Sequence, residues 1–402
     1  MGIIKKIRKA RIKTLLPAGI LVAVTLIFSC EQPHSPDTSL SDPDVDTSIN
    51  LITGQAASIV IGQPDFNTAT SHAAGANTFS STGINGSPCL IEDRLFISDF
   101  KFNRILVFNS IPSINNASSD WVLGQPDFTT VSTNTPTASN FNGPQTISYN
   151  GEKVALTDFN GNRILIWNTP PDSFDQPADV VVGQADFISD SAGTTANTLD
   201  KPESAILLED KLIVSDCSNN RVLIYNTIPT TNNASADIVL GQPDFTSSST
   251  NTTSSGMINP IGVWSDGNKL IVVDYANNRI MIWNSFPTAN NTPADVVVGQ
   301  SNFTTRIGAT SQNGLNGPYA IAVDGKKLFV SDYANNRILI WNTIPTVNGT
   351  NADVVIGHSD FASNTAGTTQ SRLNTPYGIS VYDNKLFVTD CDNNRVLIFE
   401  GQ

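Results

Sequence analysis

A motif of twelve residues recurs six times along this chain of 402 residues. One copy reads SDYANNRILIWN and occupies residues 331–342. The motif carries an aspartate and an arginine, which recur as Asp99 and Arg104, Asp158 and Arg163, Asp216 and Arg221, Asp274 and Arg279, Asp332 and Arg337, and Asp390 and Arg395. The steps between copies are 59, 58, 58, 58 and 58 residues. A fixed period of this length predicts an array of similar structural units rather than unrelated domains.

Within each unit, short β-branched runs bounded by turn residues predict strands, and no helical spacing follows residue 29. In the fifth unit we predict strands at PYAIAVD (318–324), KLFVSD (327–332), RILIWN (337–342) and ADVVIG (352–357). A second motif, read as GQPDF, GQADF, GQSNF or GHSDF, follows the fourth strand in every repeat. About a dozen small polar residues then lead to the next unit. Four strands per repeat predict a propeller blade.

The ends of the chain predict how the ring closes. The last unit stops at Gln402, after its third strand, so that its sheet lacks an outer strand. Residues 57–62, ASIVIG, resemble the fourth strand ADVVVG at residues 294–299 and precede the first unit. Joining the two protects both terminal units from open edges. We therefore predict an all-β, six-bladed β-propeller over residues 57–402, with the N-terminal strand in the last blade.

The repeated order of strand, Asp, two loop residues, Asn-Asn, Arg and aliphatic strand resembles the NHL repeat of six-bladed propellers. The resemblance covers residues 57–402, although the GQPDF connections are longer than in a short NHL unit. It implies an interaction scaffold in most cases. The resemblance also implies a second possibility, because some members or relatives are lyases or lactone hydrolases that work with metal ions held in the central channel. An enzyme of this second kind is the alternative function.

The N-terminus predicts export and a lipid anchor. Six basic residues precede or border an apolar run from Leu15 to Phe28, which is typical of a signal peptide over residues 1–29. The run ends in LIFSC, which resembles a bacterial lipobox, and Cys30 would carry the lipid. The alternative is an uncleaved signal anchor, for which the run is short. The Pro-, Ser- and Asp-rich residues 30–56 predict a flexible tether. These features place the protein in the bacterial cell envelope, outside the cytoplasm.

Charge narrows the set of partners. The chain has 23 basic and 36 acidic residues, and removal of residues 1–29 takes away six basic ones, leaving 17 against 36, a net charge of −19. So acidic a surface repels nucleic acids and anionic lipid headgroups. We therefore predict no nucleic-acid binding, and contact with the membrane through the lipid alone.

The repeated aspartate and arginine are predicted to be structural. They face each other across a four-residue loop and can form a charge-assisted cross-strand pair in every blade. The Asn before each Arg tolerates the left-handed turn that the loop needs. Because catalysis needs one asymmetric site, a pair present in all six blades is expected to stabilise the fold.

Function is expected where the repeats differ. The candidate ligand face combines residues that follow the repeated Asp with residues that follow the proline of the inner strand, namely Phe100, Phe159, Tyr275, Tyr333, Tyr319, Tyr377 and Glu203. These rings could form a shallow groove for a glycan or a peptide, or they could simply fill the mouth of the channel. Blade 1 departs from the pattern, because Pro88 is displaced, and an irregular inner strand is expected near Cys89.

Few residues suit catalysis. His72 and His358 are single histidines in connections, and two scattered histidines do not supply the ligands of a zinc site. No catalytic or metal-binding residues are therefore predicted, although calcium bound by oxygen ligands stays possible. A disulfide between Cys89 and Cys391, in neighbouring blades, is an open alternative to free thiols. The favoured function is a binding or scaffold module for a protein or carbohydrate ligand.

Overall fold

The computed structural model describes residues 48–81, 83–132 and 135–402. The predicted signal peptide, Cys30 and most of the predicted tether lie outside these ranges. Within them, 24 strands form six four-stranded antiparallel sheets. This confirms the predicted all-β, six-bladed propeller. None of the helices in the described part of the chain has the length and apolar character that crossing a bilayer requires.

Blades 1 to 3 each use four consecutive strands, and the first of them lies nearest the axis. Blade 1 contains β2 (Cys89–Ile91), β3 (Arg94–Asp99), β4 (Arg104–Phe108) and β5 (Trp121–Leu123). Blade 2 contains β6 (Pro144–Tyr149), β7 (Val154–Asp158), β8 (Arg163–Trp167) and β9 (Val180–Val182). Blade 3 contains β10 (Pro202–Leu208), β11 (Lys211–Asp216), β12 (Arg221–Tyr225) and β13 (Ile238–Leu240). The inner strand of blade 1 is the shortest of the three, as its displaced proline predicted.

Blades 4 and 5 repeat the same order, and blade 6 takes its outer strand from the N-terminus. Blade 4 contains β14 (Pro260–Ser265), β15 (Leu270–Asp274), β16 (Arg279–Trp283) and β17 (Val296–Val298). Blade 5 contains β18 (Pro318–Asp324), β19 (Lys327–Asp332), β20 (Arg337–Trp341) and β21 (Val354–Ile356). Blade 6 contains β22 (Pro376–Tyr382), β23 (Lys385–Asp390), β24 (Arg395–Glu400) and β1 (Ile59–Ile61).

Ring closure follows the predicted pairing. Strand β1 runs antiparallel to β24, with Ile59 opposite Ile398 and Ile61 opposite Val396. The side chains of Val60 and Ile61 are fully buried. The N-terminal strand is therefore an integral part of the last blade.

The loop between the second and third strands contains a 3-10 turn in five blades, at Phe100–Phe102, Cys217–Asn219, Tyr275–Asn277, Tyr333–Asn335 and Cys391–Asn393. Each turn ends at an asparagine in the left-handed conformation, for example Asn336 with φ 54°. Asparagine tolerates this conformation better than most residues, so the chain reverses there and enters the third strand. The predicted role of this asparagine is thus confirmed.

Two faces of the propeller follow from this connectivity. The loop-rich face carries the Asp-to-Arg loops and the long connections after GxxDF. The short-turn face carries the turns between first and second strands and the connections from third to fourth strands. Apolar side chains fill the space between neighbouring sheets, and the largest of them, Trp167, Trp283 and Trp341, are fully buried.

In blades 1, 3, 4 and 5 the connection from third to fourth strand also binds the outer strand of the preceding blade. Asn348 Oδ1 accepts the backbone N–H of Val297 at 2.9 Å, and the N–H of Gly349 donates to the Val297 carbonyl at 3.0 Å. The same two bonds join Asn290 and Asn291 to Val239, Asn232 and Asn233 to Val181, and Asn115 and Asn116 to Val60. This clasp satisfies backbone groups of strands that would otherwise be exposed edges.

Residues 48–56, predicted to belong to the flexible tether, pack against the propeller instead. Thr53 Oγ1 accepts the N–H of Val355 at 3.3 Å, and the N–H of Gly54 donates to the Val355 carbonyl at 3.0 Å. Ile49 and Leu51 are buried. Blade 6 has no connection of its own between third and fourth strands, so this segment supplies the missing clasp. The packed domain therefore includes residues 49–56, ahead of the predicted start at Ala57.

Candidate ligand-binding site at the mouth of the propeller

The first residues of the inner strands form the mouth of the channel on the loop-rich face. Pro318 pairs with Asp332 and Pro376 with Asp390, which places the residue after each proline beside an Asp-to-Arg loop. The strand register shifts just after each of these prolines. The extra residue of such a bulge re-aims the side chain that follows the proline. The structure thus brings the two predicted sets of residues to the same mouth.

The floor of the mouth is filled rather than open. The side chains of Gln145, Glu203, Ile261 and Tyr319 are all buried there. On the side of blades 6, 1 and 2 the inner strands approach so closely that only glycine fits. A Cβ on Gly86 would lie 2.1 Å from the carbonyl oxygen of Gln145, and one on Gly378 would lie 2.4 Å from that of Gly86.

Around this floor stand the rings of Phe100, Phe159, Tyr275, Tyr333 and Tyr377, which are all half-buried. Several rings pack against the next blade. They contact the residue just before the proline that opens its inner strand. At two of these positions the residue is a glycine: a Cβ on Gly143 would lie 2.6 Å from Phe100, and one on Gly317 would lie 3.2 Å from Tyr275. Where the motif has Cys217 instead of a ring, Asn259 fills the space, with its Nδ2 3.6 Å from the sulfur.

The tyrosines of blades 4 to 6 form one continuous cluster. The ring centroid of Tyr319 lies 6.1 Å from that of Tyr275, 6.2 Å from that of Tyr333 and 4.1 Å from that of Tyr377. Tyr333 and Tyr377 are 4.9 Å apart at an interplanar angle of 75°. Edge-to-face packing of this kind fixes the rings in place. Half of the mouth is therefore a rigid aromatic surface around the buried Tyr319.

Blades 1 and 2 supply the other rings. Phe100 and Phe159 contact each other at 5.8 Å between centroids with an interplanar angle of 63°. The ammonium of Lys201 lies 5.5 Å from the centroid of Phe159. Lys201 itself has φ 49°, a left-handed conformation that a lysine rarely adopts, and its N–H is held by Asn162 Oδ1 at 2.8 Å. The mouth thus carries a cation in contact with Phe159.

Glu203 is the buried carboxyl of the mouth. The hydroxyl of Tyr319 donates to its Oε2 at 2.9 Å, which links blade 5 to blade 3 across the floor. Burial raises the pKa of Glu203 to about 8, although the hydrogen bond from Tyr319 and the charge of Lys201 both lower it. Burial and the neighbouring Glu203 also raise the pKa of Tyr319. At neutral pH the floor is therefore uncharged, because both groups keep their protons.

The raised pKa of Glu203 predicts an unusual dependence of stability on pH. Between the usual value of 4.5 and about 8 the folded protein holds the Glu203 proton more tightly than the unfolded chain does. The contribution of Glu203 to the free energy of unfolding should then decrease as the pH rises through this window, by at most about 1.4 kcal/mol per pH unit. Denaturant unfolding at pH 5, 6.5 and 8 measures it.

The matched comparison is between Glu203→Gln, which keeps the shape but cannot ionise, and the exposed Glu152→Gln. The wild-type protein should lose stability relative to Glu203→Gln as the pH rises from 5 to 8, whereas Glu152→Gln should follow the wild type. Parallel pH profiles for all three proteins would contradict a raised pKa at Glu203.

The repeated Asp–Arg pairs lie beneath the loops and away from solvent. In blade 5, Arg337 Nε donates to Asp332 Oδ2 at 2.7 Å, and both side chains are fully buried. The other five pairs have Nε–Oδ2 distances of 2.7 to 2.9 Å. Each arginine also bonds carbonyls of both neighbouring connections, as Arg337 does with Phe361 at 2.5 Å and Ser311 at 2.8 Å. This geometry fits a latch that holds two connections to one blade.

The cysteines and the histidine considered for a disulfide or a metal site do not form either one in the described residues. Cys89 and Cys391 are buried and form no disulfide, so the alternative of a bond between them is wrong in this structure. Arg372 Nη1 donates to His358 Nδ1 at 2.6 Å, and burial lowers the pKa of this histidine. Nowhere in the described ranges do three or more His, Cys, Asp or Glu side chains come together in a way that could hold a metal ion.

The sequence analysis did not anticipate two clefts on the short-turn face. The larger has a volume of about 400 Å³ and is lined by Ile59, Ile111, Pro112, Ser113, Asp383, Lys385 and Glu400. The smaller has about 290 Å³ and is lined by Asn150, Glu152, Lys153, Glu209, Asp210, Thr227 and Ile228. Both mark seams between neighbouring blades, and neither contains a residue of the candidate ligand face.

Comparison with known proteins concerns the fold alone. No family model and no curated protein matches the chain. Among solved structures it is similar to virginiamycin B lyase from Staphylococcus aureus, with 15% identity, a TM-score of 0.45, and coverage of 79% of this chain and 95% of that one. It is also similar to the WD40 β-propeller domain of Doa1, with 11% identity, a TM-score of 0.47, and coverage of 88% and 97%. The resemblance to NHL repeats stays a prediction.

Proposed function

We propose that this protein is a lipid-anchored, extracytoplasmic propeller that binds a protein or carbohydrate ligand at the mouth of its loop-rich face. The observation that supports the proposal is the set of half-buried rings from five blades around a closed floor of buried side chains. Rigid aromatic rings give a ligand a large contact area at little cost in side-chain entropy. The repeated Asp–Arg pairs, in contrast, are buried and hold connections together.

The net charge of the mature chain favours a ligand that is not strongly anionic. After removal of residues 1–29 the chain carries 17 basic and 36 acidic residues. Lys201 stacks on Phe159, so its charge already has a partner. Flat apolar surface with tyrosine hydroxyls at its edge matches a sugar ring or an aromatic or aliphatic peptide side chain, each of which combines apolar area with polar groups.

Binding at the mouth predicts the effect of removing one ring. Tyr333→Ala should weaken binding about tenfold, because it removes ring contacts on both the ligand and Tyr377. The matched control is Phe174→Ala, which removes an exposed aromatic side chain on the short-turn face. A neutral oligosaccharide array and cross-linking of intact cells, each with wild type and both variants, test the two ligand classes. Ligands that bind all three proteins equally would place the site elsewhere.

The anchor is tested separately at Cys30, which lies outside the described residues. The wild-type protein should partition into the detergent phase of a Triton X-114 extraction, because a lipidated cysteine adds acyl chains to an otherwise polar protein. Cys30→Ala cannot carry the lipid, so this variant should yield no lipidated protein in that phase. Wild-type protein found entirely in the aqueous phase would contradict the anchor.

A further inference from the structure

The chain enters the propeller on its short-turn face, and the entry point is fixed by packing. The N–H of Ile49 donates to Asp324 Oδ2 at 2.6 Å, and Lys327 Nζ donates to the Ile49 carbonyl at 2.8 Å. Asp324 and Lys327 flank the turn between β18 and β19, at the end of blade 5 opposite the Asp-to-Arg loop. The side chain of Ile49 is 1% exposed. The described part of the chain therefore begins on the short-turn face.

The following residues stay on that face before β1 begins. The N–H of Gln402 donates to the Asn50 carbonyl at 2.9 Å, and Gln55 Nε2 donates to the Glu400 carbonyl at 2.7 Å. Glu400 ends β24 and pairs with Lys385, next to the turn between β22 and β23. Strand β1 then runs away from the short-turn face, because Ile59 lies opposite Ile398 and Ile61 opposite Val396. Several independent contacts thus locate the entry point.

We propose that the lipid anchor holds the propeller with its short-turn face toward the membrane and its aromatic mouth directed away from it. This inference rests on the lipid attachment at Cys30 proposed above. A ligand would accordingly approach from the side opposite the membrane, as a soluble molecule or as part of another surface. The lipid bilayer that holds the protein would not itself be the ligand of the mouth.

The length of chain between Cys30 and Ser48 limits the alternatives. Eighteen residue steps span at most about 60 to 65 Å when fully extended. A propeller of this size has a radius of gyration of about 20 Å, and a seven-residue inner strand alone is about 23 Å long. To bring the loop-rich face to the membrane, the same chain would have to run outward along the short-turn face and then along the side of the ring. That path uses nearly the full extension, whereas the proposed orientation needs little of it.

Energy transfer to a labelled membrane tests the orientation. The lipidated full-length protein is placed in liposomes that contain a lipid-bound acceptor, and a donor dye is attached to either Lys326→Cys or Ala334→Cys. Both positions are exposed, the first on the short-turn face and the second on the loop-rich face, while Cys89, Cys217 and Cys391 are buried and escape labelling. Transfer from position 326 should be about twofold or more above that from position 334, since at least one strand length separates the faces.

Two further measurements make each outcome decisive. Insertion of thirty Gly and Ser residues between Thr47 and Ser48 should reduce the difference between the two positions, because the longer chain permits both orientations. Equal transfer from both positions without the insertion, or a higher transfer from position 334, would overturn the proposed orientation while leaving the anchor intact. Failure of the full-length protein to bind liposomes would overturn the anchor and, with it, this inference.

Discussion

Replacement of Arg337 by alanine will lower the free energy of unfolding by about 3 to 5 kcal/mol, which corresponds to a fall in melting temperature of about 4 to 7 °C. The physical reason is burial. Asp332 would be left as a buried carboxylate without its counter-charge, and the carbonyls of Phe361, Ser311 and Gly314 would each lose a donor. Thermal unfolding followed by circular dichroism measures the effect.

The equivalent arginines of the other blades serve as controls for this prediction. Arg221→Ala and Arg279→Ala should lose a similar amount, because these arginines make the same set of bonds in blades 3 and 4. Arg306→Ala should change stability by less than about 0.5 kcal/mol, since Arg306 is exposed on a connection. Ligand binding should survive in every variant that folds. A variant that loses binding at unchanged stability would instead identify that arginine as part of a functional site.

Removal of residues 48–62 from the mature protein should prevent the propeller from folding stably. The deletion exposes the edge of β24 and removes the buried side chains of Ile49, Leu51, Val60 and Ile61. Four such side chains contribute about 6 to 12 kcal/mol, which is comparable with the whole stability of a typical domain. Limited proteolysis and thermal unfolding, compared with a deletion of residues 31–47 alone, measure the result.

Two comparisons sharpen this test. Deletion of residues 31–47 should leave the melting temperature unchanged, because it keeps Ile49 and its bonds to Asp324 and Lys327. A synthetic peptide of residues 48–62 should bind the protein that lacks them and restore its protease resistance. If that shortened protein melts at the wild-type temperature without the peptide, the closing strand contributes nothing.

The fold follows from local signals because those signals repeat. In blade 5 the predicted inner and second strands coincide with β18 and β19 at both ends. Proline opens the first strand, a Gly-containing turn separates the two, and Asn336 in a left-handed conformation ends the next loop. Most units contain the same turn and strand signals. A strand boundary that is ambiguous in one repeat can therefore be assigned from the others.

The clasp at residues 49–54 was not predicted because its signal is weak. Ile49, Ile52, Thr53 and Gly54 correspond to Ile344, Val347, Asn348 and Gly349 in the connection of blade 5. Only two of these four positions are identical, and the segment adjoins a Pro- and Asp-rich stretch that is typical of disorder. Its role arises because blade 6 has no connection between its third and fourth strands, which is apparent only once the ring is assembled.

The mouth was predicted in outline but not in its contacts. The sequence placed the rings on one face, because strand alternation and the repeat determine where each residue lies. It did not show which rings are accessible, since that depends on residues of the next blade such as Gly143 and Gly317. The partner of Glu203 is Tyr319, 116 positions along the chain, and no local pattern connects them.

The pairing of β1 with β24 also sets an order of events during synthesis. Ile59–Ile61 is among the first parts of the domain to be made, and its partner Arg395–Glu400 is the last. At about 5 to 20 residues per second, the first strand waits roughly 20 to 70 seconds for the second. Throughout that interval the unpaired first strand can recruit another nascent copy. The newborn chain is therefore most vulnerable to misassembly just before its ring closes, and anything that delays the final blade prolongs that exposure.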